Sequence, residues 1–229
     1  MLKNNRSITG VVIVSGGLDS VTLLHYVCKQ EQQPVLTLTF DYGQKQRKEI
    51  AFAKHHAHLL NCPHEIIDLA PLAAAFQRSA LVASGVIIPD VTTTMGDPQP
   101  PTYVPNRNMI FLSIAAAYAE SLEVQDVYYG AQRHDAFGYW DTTPHFLDRL
   151  NMVFSLNRKS PIQIKVPFSK NSKTDTLKLG LTLGVDYSQT WSCYEGDDRA
   201  CGRCMPCAER LQAFAQVGST DPLPYMGQE

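Results

Sequence analysis

At 229 residues the chain has room for one large domain, or one domain with a small appendage. Apolar residues make up 44% and charged residues 18%, a globular balance that excludes a disordered or collagen-like chain. The 20 Lys and Arg against 22 Asp and Glu leave a net charge of -2, which argues against a protein that works by coating nucleic-acid phosphates. No apolar run approaches the ~18–20 residues of a membrane span. The opening stretch has no apolar core of a secretory signal, so a cytoplasmic protein with no membrane contact is expected.

Short apolar runs alternate with helical patterns. The pattern predicts strands at residues 10–14, 34–40, 64–69, 124–129 and 162–166. Helices are predicted at 18–30, 44–60, 106–122, 144–156 and 173–183. Such alternation implies a mostly parallel sheet with helices on both faces. Residues 88–103 carry four prolines and no period, which reads as a functional loop or a lid. A short helix at 208–217 closes the chain after a cysteine cluster. His55, His56 and His58 do not share one helical face and read as a surface cluster rather than a metal site.

Between the first strand and the first helix stands Ser15-Gly16-Gly17-Leu18-Asp19-Ser20. Glycines let the main chain turn tightly and approach a ligand. The amides and dipole of a helix start form an anion site, to which Ser15 and Ser20 add hydroxyls. Asp19 would repel a bare phosphate, so its place is beside a magnesium ion or as a helix cap. Neither a Walker A loop nor a dinucleotide fingerprint occurs at this turn. A lone Gly-Gly pair is more often just a tight turn, but the whole string resembles the pyrophosphate loop of the N-type ATP pyrophosphatases. Those enzymes transfer AMP from ATP to an oxygen of the substrate and release pyrophosphate.

Of six cysteines, Cys28 and Cys62 stand alone and read as small buried hydrophobes. Cys193, Cys201, Cys204 and Cys207 fall together, with Gly202 permitting a tight turn. Four thiolates fit a closed, structural zinc site, and an iron–sulfur cluster takes the same donors. A redox pair would explain only two of the four.

Phosphate loop and cysteine knuckle in this order are similar to the 7-cyano-7-deazaguanine synthase family of the queuosine pathway. Phe40-Asp41-Tyr42-Gly43-Gln44 with Glu49 a turn later, Val104-Pro105-Asn106-Arg107-Asn108, Thr190-Trp191-Ser192-Cys193-Tyr194 and Asp221-Pro222 with Tyr225 extend the resemblance over nearly the whole length. It implies an adenine-nucleotide α-hydrolase-like α/β domain over 1–190 and a zinc-knuckle lobe over 191–229, within one structural unit. It implies ATP as co-substrate, magnesium, one structural zinc and a homodimer. Family members adenylate the carboxylate of 7-carboxy-7-deazaguanine, let ammonia form the amide, and dehydrate the amide to the nitrile with a second ATP.

Carried onto this chain, the resemblance gives Asp19, Ser20 and Lys173 to catalysis and Ser15, Gly16, Gly17, Leu18, Asp19 and Ser20 to ATP. Tyr42, Gln44, Arg107, Asn108, Gln132, Asp135, Tyr139 and Asp141 go to the deazaguanine. Taken singly, Asp135 and Asp141 are ordinary loop carboxylates and Lys173 an ordinary surface lysine. Behind a strand's carboxyl end the two acids become acceptors for the base's N–H groups. The sequence departs from the family where Trp140-Asp141-Thr142-Thr143 replaces Pro-Asp-Cys-Arg, Gln132 replaces Asn, and Lys45-Gln46 replaces Arg-His. Three readings follow: a nitrile-forming synthase; a relative that ligates the same carboxylate to another amine, on a small molecule or a protein; and a non-enzymatic zinc module for nucleic acid. The net charge and the complete phosphate loop weigh against the last.

Overall fold

The computed structural model describes residues 7–94, 97, 99–132 and 139–227. Five parallel strands, β1 (Gly10–Ile13), β2 (Val35–Asp41), β3 (His64–Asp68), β4 (Asp126–Tyr128) and β5 (Gln163–Lys165), form one sheet in the order β3-β2-β1-β4-β5. The sequence explains the order. Every residue of β1 and β2 is buried, as strands covered on both faces require, whereas at the edges no residue of β3 is buried and β5 buries only Ile164.

The pleat then divides two cores. Val11 and Ile13 of β1 face α4 (Arg107–Ser121) and α5 (Pro144–Phe154), packing on Leu112, Ala115 and Leu147. Val12 and Val14 face the opposite way. There they meet α1 (Leu18–His25), α2 (Lys48–Leu59), α6 (Lys173–Thr182) and α7 (Met205–Gln216) through Leu24, Ala53, Leu177 and Phe214. A third core surrounds the cysteines and joins Trp191 and Tyr225 to Ala80 and Ile88. Among the described residues no helix is long and apolar enough to cross a membrane.

Several boundaries differ from the pattern. The first helix is α-helical to His25 and continues as a π-helix over Tyr26–Gln30. The second begins at Lys48, not 44, because Gly43 takes φ +82° and the Gln44 side chain turns back onto Tyr42 N (2.8 Å) and Phe40 O (3.2 Å). The last begins at Met205, where Pro206 presets its first turn. Within 88–103 a single helical turn, α3 (Val91–Thr94), interrupts the loop.

His56 corrects the expected surface cluster. His55 and His58 are exposed, but His56 is fully buried, 3.0 Å from His25 Nε2 and 2.9 Å from the Gln189 carbonyl. Desolvation keeps both rings below the usual histidine range, with His25 lowered to about 3. The partly buried thiols of Cys28 and Cys62 lie 3.4 Å apart, a pairing that their separation in sequence hides.

Candidate active site

The order β3-β2-β1-β4-β5 places a topological switch between β1 and β4, where open α/β sheets bind ligands beyond the strand ends. A cleft of about 530 Å³ opens there, and segments following β1, β2 and β4 line it.

One wall is the phosphate loop. Gly16 adopts φ +94°, and a Cβ there would lie 2.0 Å from Glu49 O, so only glycine fits. Gly17 is the N-cap of α1 and supplies no side-chain cap, which leaves the helix start to an incoming anion. The hydroxyls brace the turn from inside. Ser20 Oγ accepts from Ser15 N (3.1 Å) and Gly16 N (3.3 Å), and Ser15 Oγ accepts from Gly17 N (3.3 Å). Gly130, after β4, abuts Ser20, with 3.5 Å between its Cβ position and Ser20 Cα.

Asp19 does not cap the helix. Its carboxylate accepts from Lys173 Nζ (2.7 Å) at the start of α6 and from Gln132 Nε2 (2.5 Å) after β4. Lys173 also approaches Glu209 of α7 at 3.4 Å. Far from being a surface lysine, Lys173 stands beside the loop, its backbone held by the capping box of Ser172 and Asp175.

The other wall is aromatic and cationic. Tyr42 is buried, and desolvation raises its phenol above the usual range. Arg107, the first residue of α4, points its Nη1 at Tyr42 Oη (3.3 Å). Tyr139 lines the cleft, and its hydroxyl lies 2.8 Å from Thr102 Oγ1, so residues 88–103 contribute to this wall through Pro89, Asp97, Pro100 and Thr102. Gln44 and Asn108 reach the cleft too.

Asp141 stands elsewhere. It is 1% exposed, sits behind the lining, and accepts from Asn108 N at 3.3 Å, capping the start of α4. Burial raises its carboxyl. Asp135 lies outside the described residues. The replaced stretch has clear local work. Thr142 Oγ1 donates to Tyr139 O (2.6 Å), while Thr143 caps α5 by accepting from Phe146 N (3.1 Å). Trp140, 43% exposed, donates from Nε1 to Tyr103 Oη at 2.9 Å.

Sequence reasoning missed Trp191, Ser192, Glu49 and Glu209 as cleft residues. The first two tie the cysteine region to the phosphate loop. Trp191 N donates to Gly16 O (3.0 Å), and Leu18 N donates to Ser192 Oγ (3.4 Å). Cys193 follows directly. The Sγ atoms of Cys193, Cys201, Cys204 and Cys207 lie within 4.8 Å of one another, all buried. Cys193 Sγ accepts from Gly196 N (3.0 Å) and Cys201 N (3.2 Å), as a metal-bound thiolate does. Four converging sulfurs fit a closed zinc site or a cluster.

The family model described as queuosine biosynthesis protein QueC matches residues 9–218. A protein of Alteromonas mediterranea named 7-cyano-7-deazaguanine synthase is 43% identical over 219 residues, covering 94% of this chain and 97% of its own. A like-named protein of Caldicellulosiruptor saccharolyticus is 43% identical over 215 residues, with 94% of both chains covered. Among solved structures, NMN synthetase from Francisella tularensis superposes with a TM-score of 0.51 at 14% identity, over 96% of this chain and 81% of that one. The U34-tRNA thiolase NcsA from Methanococcus maripaludis, solved with its 4Fe-4S cluster, gives 0.52 at 12% identity, over 93% and 66%. These two share the fold. With the family model covering most of the chain and relatives above 40% identity over nearly all of it, the protein belongs to the QueC family of queuosine biosynthesis proteins.

Proposed function

We propose that the protein is an AMP-forming ATP pyrophosphatase that converts 7-carboxy-7-deazaguanine to 7-cyano-7-deazaguanine through an amide. The observation that carries this reading is the shared cleft: an anion-binding helix start and an aromatic wall bearing Arg107 face one cavity of about 530 Å³. The names of the relatives support the substrate.

The chemistry follows from the residues. A carboxylate resists attack because its oxygen leaves poorly, and transfer of AMP to that oxygen makes it a good leaving group. The start of α1, which has no side-chain cap, receives the departing pyrophosphate, with Lys173 neutralising charge as the bond to the α-phosphate breaks. Asp19 would hold magnesium, which supplies further charge neutralisation when bound. Tyr42 and Tyr139 offer faces for the base, and Arg107 offers a fork for its carboxylate, drawing it toward the α-phosphate. Asp141 keeps Arg107 in place from behind by fixing the first turn of α4. The four cysteines would hold zinc, which fixes Trp191 and Ser192 against the loop rather than entering the reaction.

Mass spectrometry of products from 7-carboxy-7-deazaguanine, ATP and ammonium tests the reading. Nitrile with two AMP per product is expected. An amide with one AMP, or product only when another amine is supplied, would show a ligase instead and turn attention to Trp140, Thr142 and Thr143. ADP as the main nucleotide product would refute pyrophosphatase chemistry altogether.

A further inference from the structure

Glu49, in the first turn of α2, lies against the phosphate loop, its main chain so close that Gly16 has no room for a Cβ. The residue lines the cleft. Two other acids on the lining are tied to one cation: Asp19 lies 2.7 Å and Glu209 3.4 Å from Lys173 Nζ. Asp97 sits on the 88–103 loop and accepts from Gln99 N at 2.9 Å. Glu49 has no lysine or arginine at ion-pair distance among the described residues, and its Oε1 accepts one hydrogen bond, from Gln44 Nε2 at 3.1 Å. The charged and titratable groups that face it are Arg107 of α4 and Tyr42 after β2. Desolvation pushes this carboxyl up to about 7, against the pull of the Gln44 bond and the Arg107 charge.

A half-buried carboxyl on the cleft lining, held by one neutral amide where a nitrogen must shed protons, is placed for acid–base work. We propose that Glu49 is the proton acceptor of the nitrogen chemistry, taking the protons that nitrogen loses during amide formation and during dehydration. The assignment rests on the proposed synthase reaction. In the first stage the ammonia lone pair forms the C–N bond, the C–O bond to AMP breaks, AMP leaves with the electron pair, and the surplus nitrogen proton passes to the Glu49 carboxylate. In the second stage the amide oxygen displaces pyrophosphate from the α-phosphate of a new ATP, leaving a cationic nitrogen with two protons. Glu49 accepts the first and releases it to water. It then accepts the second, whose bonding pair becomes the third C–N bond as AMP departs. Adenylation itself transfers no proton to Glu49.

That division sets the test. Glu49→Gln keeps the shape and an acceptor for Gln44. Exchange of labelled pyrophosphate into ATP, driven by the deazaguanine carboxylate without ammonium, should stay within about threefold of the parent, while amide and nitrile formation fall about 100-fold or more. With the concentration of free ammonia held constant across the series, the parent's rate of amide formation should rise with pH and level off above about 7, the Glu49→Gln profile should lose that bend, and Glu49→Asp should recover part of the rate. Loss of exchange together with product in Glu49→Gln would assign Glu49 to building the phosphate loop and overturn the proposal. Unchanged product formation would overturn it as well. If the parent protein shows no carboxylate-dependent exchange, the synthase reading itself fails, and the proposal with it.

Discussion

At the phosphate loop, main chain makes the site: Gly16 at φ +94°, Gly17 as an uncapped helix start, and two serine hydroxyls turned inward onto amides. At the facing wall, side chains make it: Tyr42 after β2, Arg107 at the start of α4 and Tyr139 after β4, the first two bonded to each other and Tyr139 to Thr102. The difference teaches where each wall is vulnerable. A main-chain site fails when backbone geometry changes and tolerates most else. A side-chain site loses one contact at a time and separates binding of one substrate from binding of the other.

The largest effect is expected at Gly16. Gly16→Ala drives a Cβ into the Glu49 carbonyl at 2.0 Å in a left-handed conformation. We expect pyrophosphate release to drop about 100-fold or more and stability to fall by more than about 2 kcal/mol, read by turnover and thermal melting. Near-normal turnover would mean that the loop does not hold the phosphates.

Next comes the cysteine site, which joins the loop through Trp191 and Ser192. Cys204→Ser should purify without a full complement of metal and lose about 3 kcal/mol, a Tm fall of about 6–12 °C. Because Trp191 N bonds Gly16 O, the KM for ATP should rise with it. A variant with full metal content and unchanged melting would remove the metal from the account.

On the side-chain wall the effects should separate. Arg107→Gln removes the cationic fork and should raise the KM for the deazaguanine carboxylate about 10- to 100-fold, with the KM for ATP nearly constant. A parallel rise in both would merge the two walls into one.

Asp141 gives a pH test. Burial raises its carboxyl, so the folded state favours the protonated form. Stability from this group is complete below the unfolded value near ~3.9 and is lost as pH rises through the higher folded value. Asp141→Asn, a mimic of the protonated form, should match the parent in melting below about pH 4 and melt higher at neutral pH. The smallest effect belongs to Trp140→Phe, which loses only the bond to Tyr103 Oη at a half-exposed rim. It should cost about 1 kcal/mol or less in stability and leave nitrile formation within about threefold.

What could be read from the sequence was what is local in it. Strands β1 and β2, the SGGLDS turn and the four cysteines are contiguous signals, each with one physical meaning, and the parallel sheet, though not its strand order, followed from strand–helix alternation. Contacts between distant segments were hidden. Nothing near His56 announces that His25 and the Gln189 carbonyl will enclose it. Asp141 reads as a ligand acceptor from its place after a strand, yet its nearest donor is the Asn108 amide, 33 residues away in sequence. Glu49 was marked only by the resemblance and given no role, because the feature that sets it apart, its place in the cleft above Gly16, exists only once the sheet is assembled.

The central claim is that one cleft passes the substrate's carboxylate oxygens to the α-phosphate of ATP. Labelling both carboxylate oxygens of 7-carboxy-7-deazaguanine with oxygen-18 follows those atoms directly. The account predicts that each nitrile formed leaves its two labelled oxygens in two molecules of AMP, one apiece, with none in pyrophosphate. Label in inorganic phosphate or pyrophosphate, or unlabelled AMP beside labelled water, would contradict it.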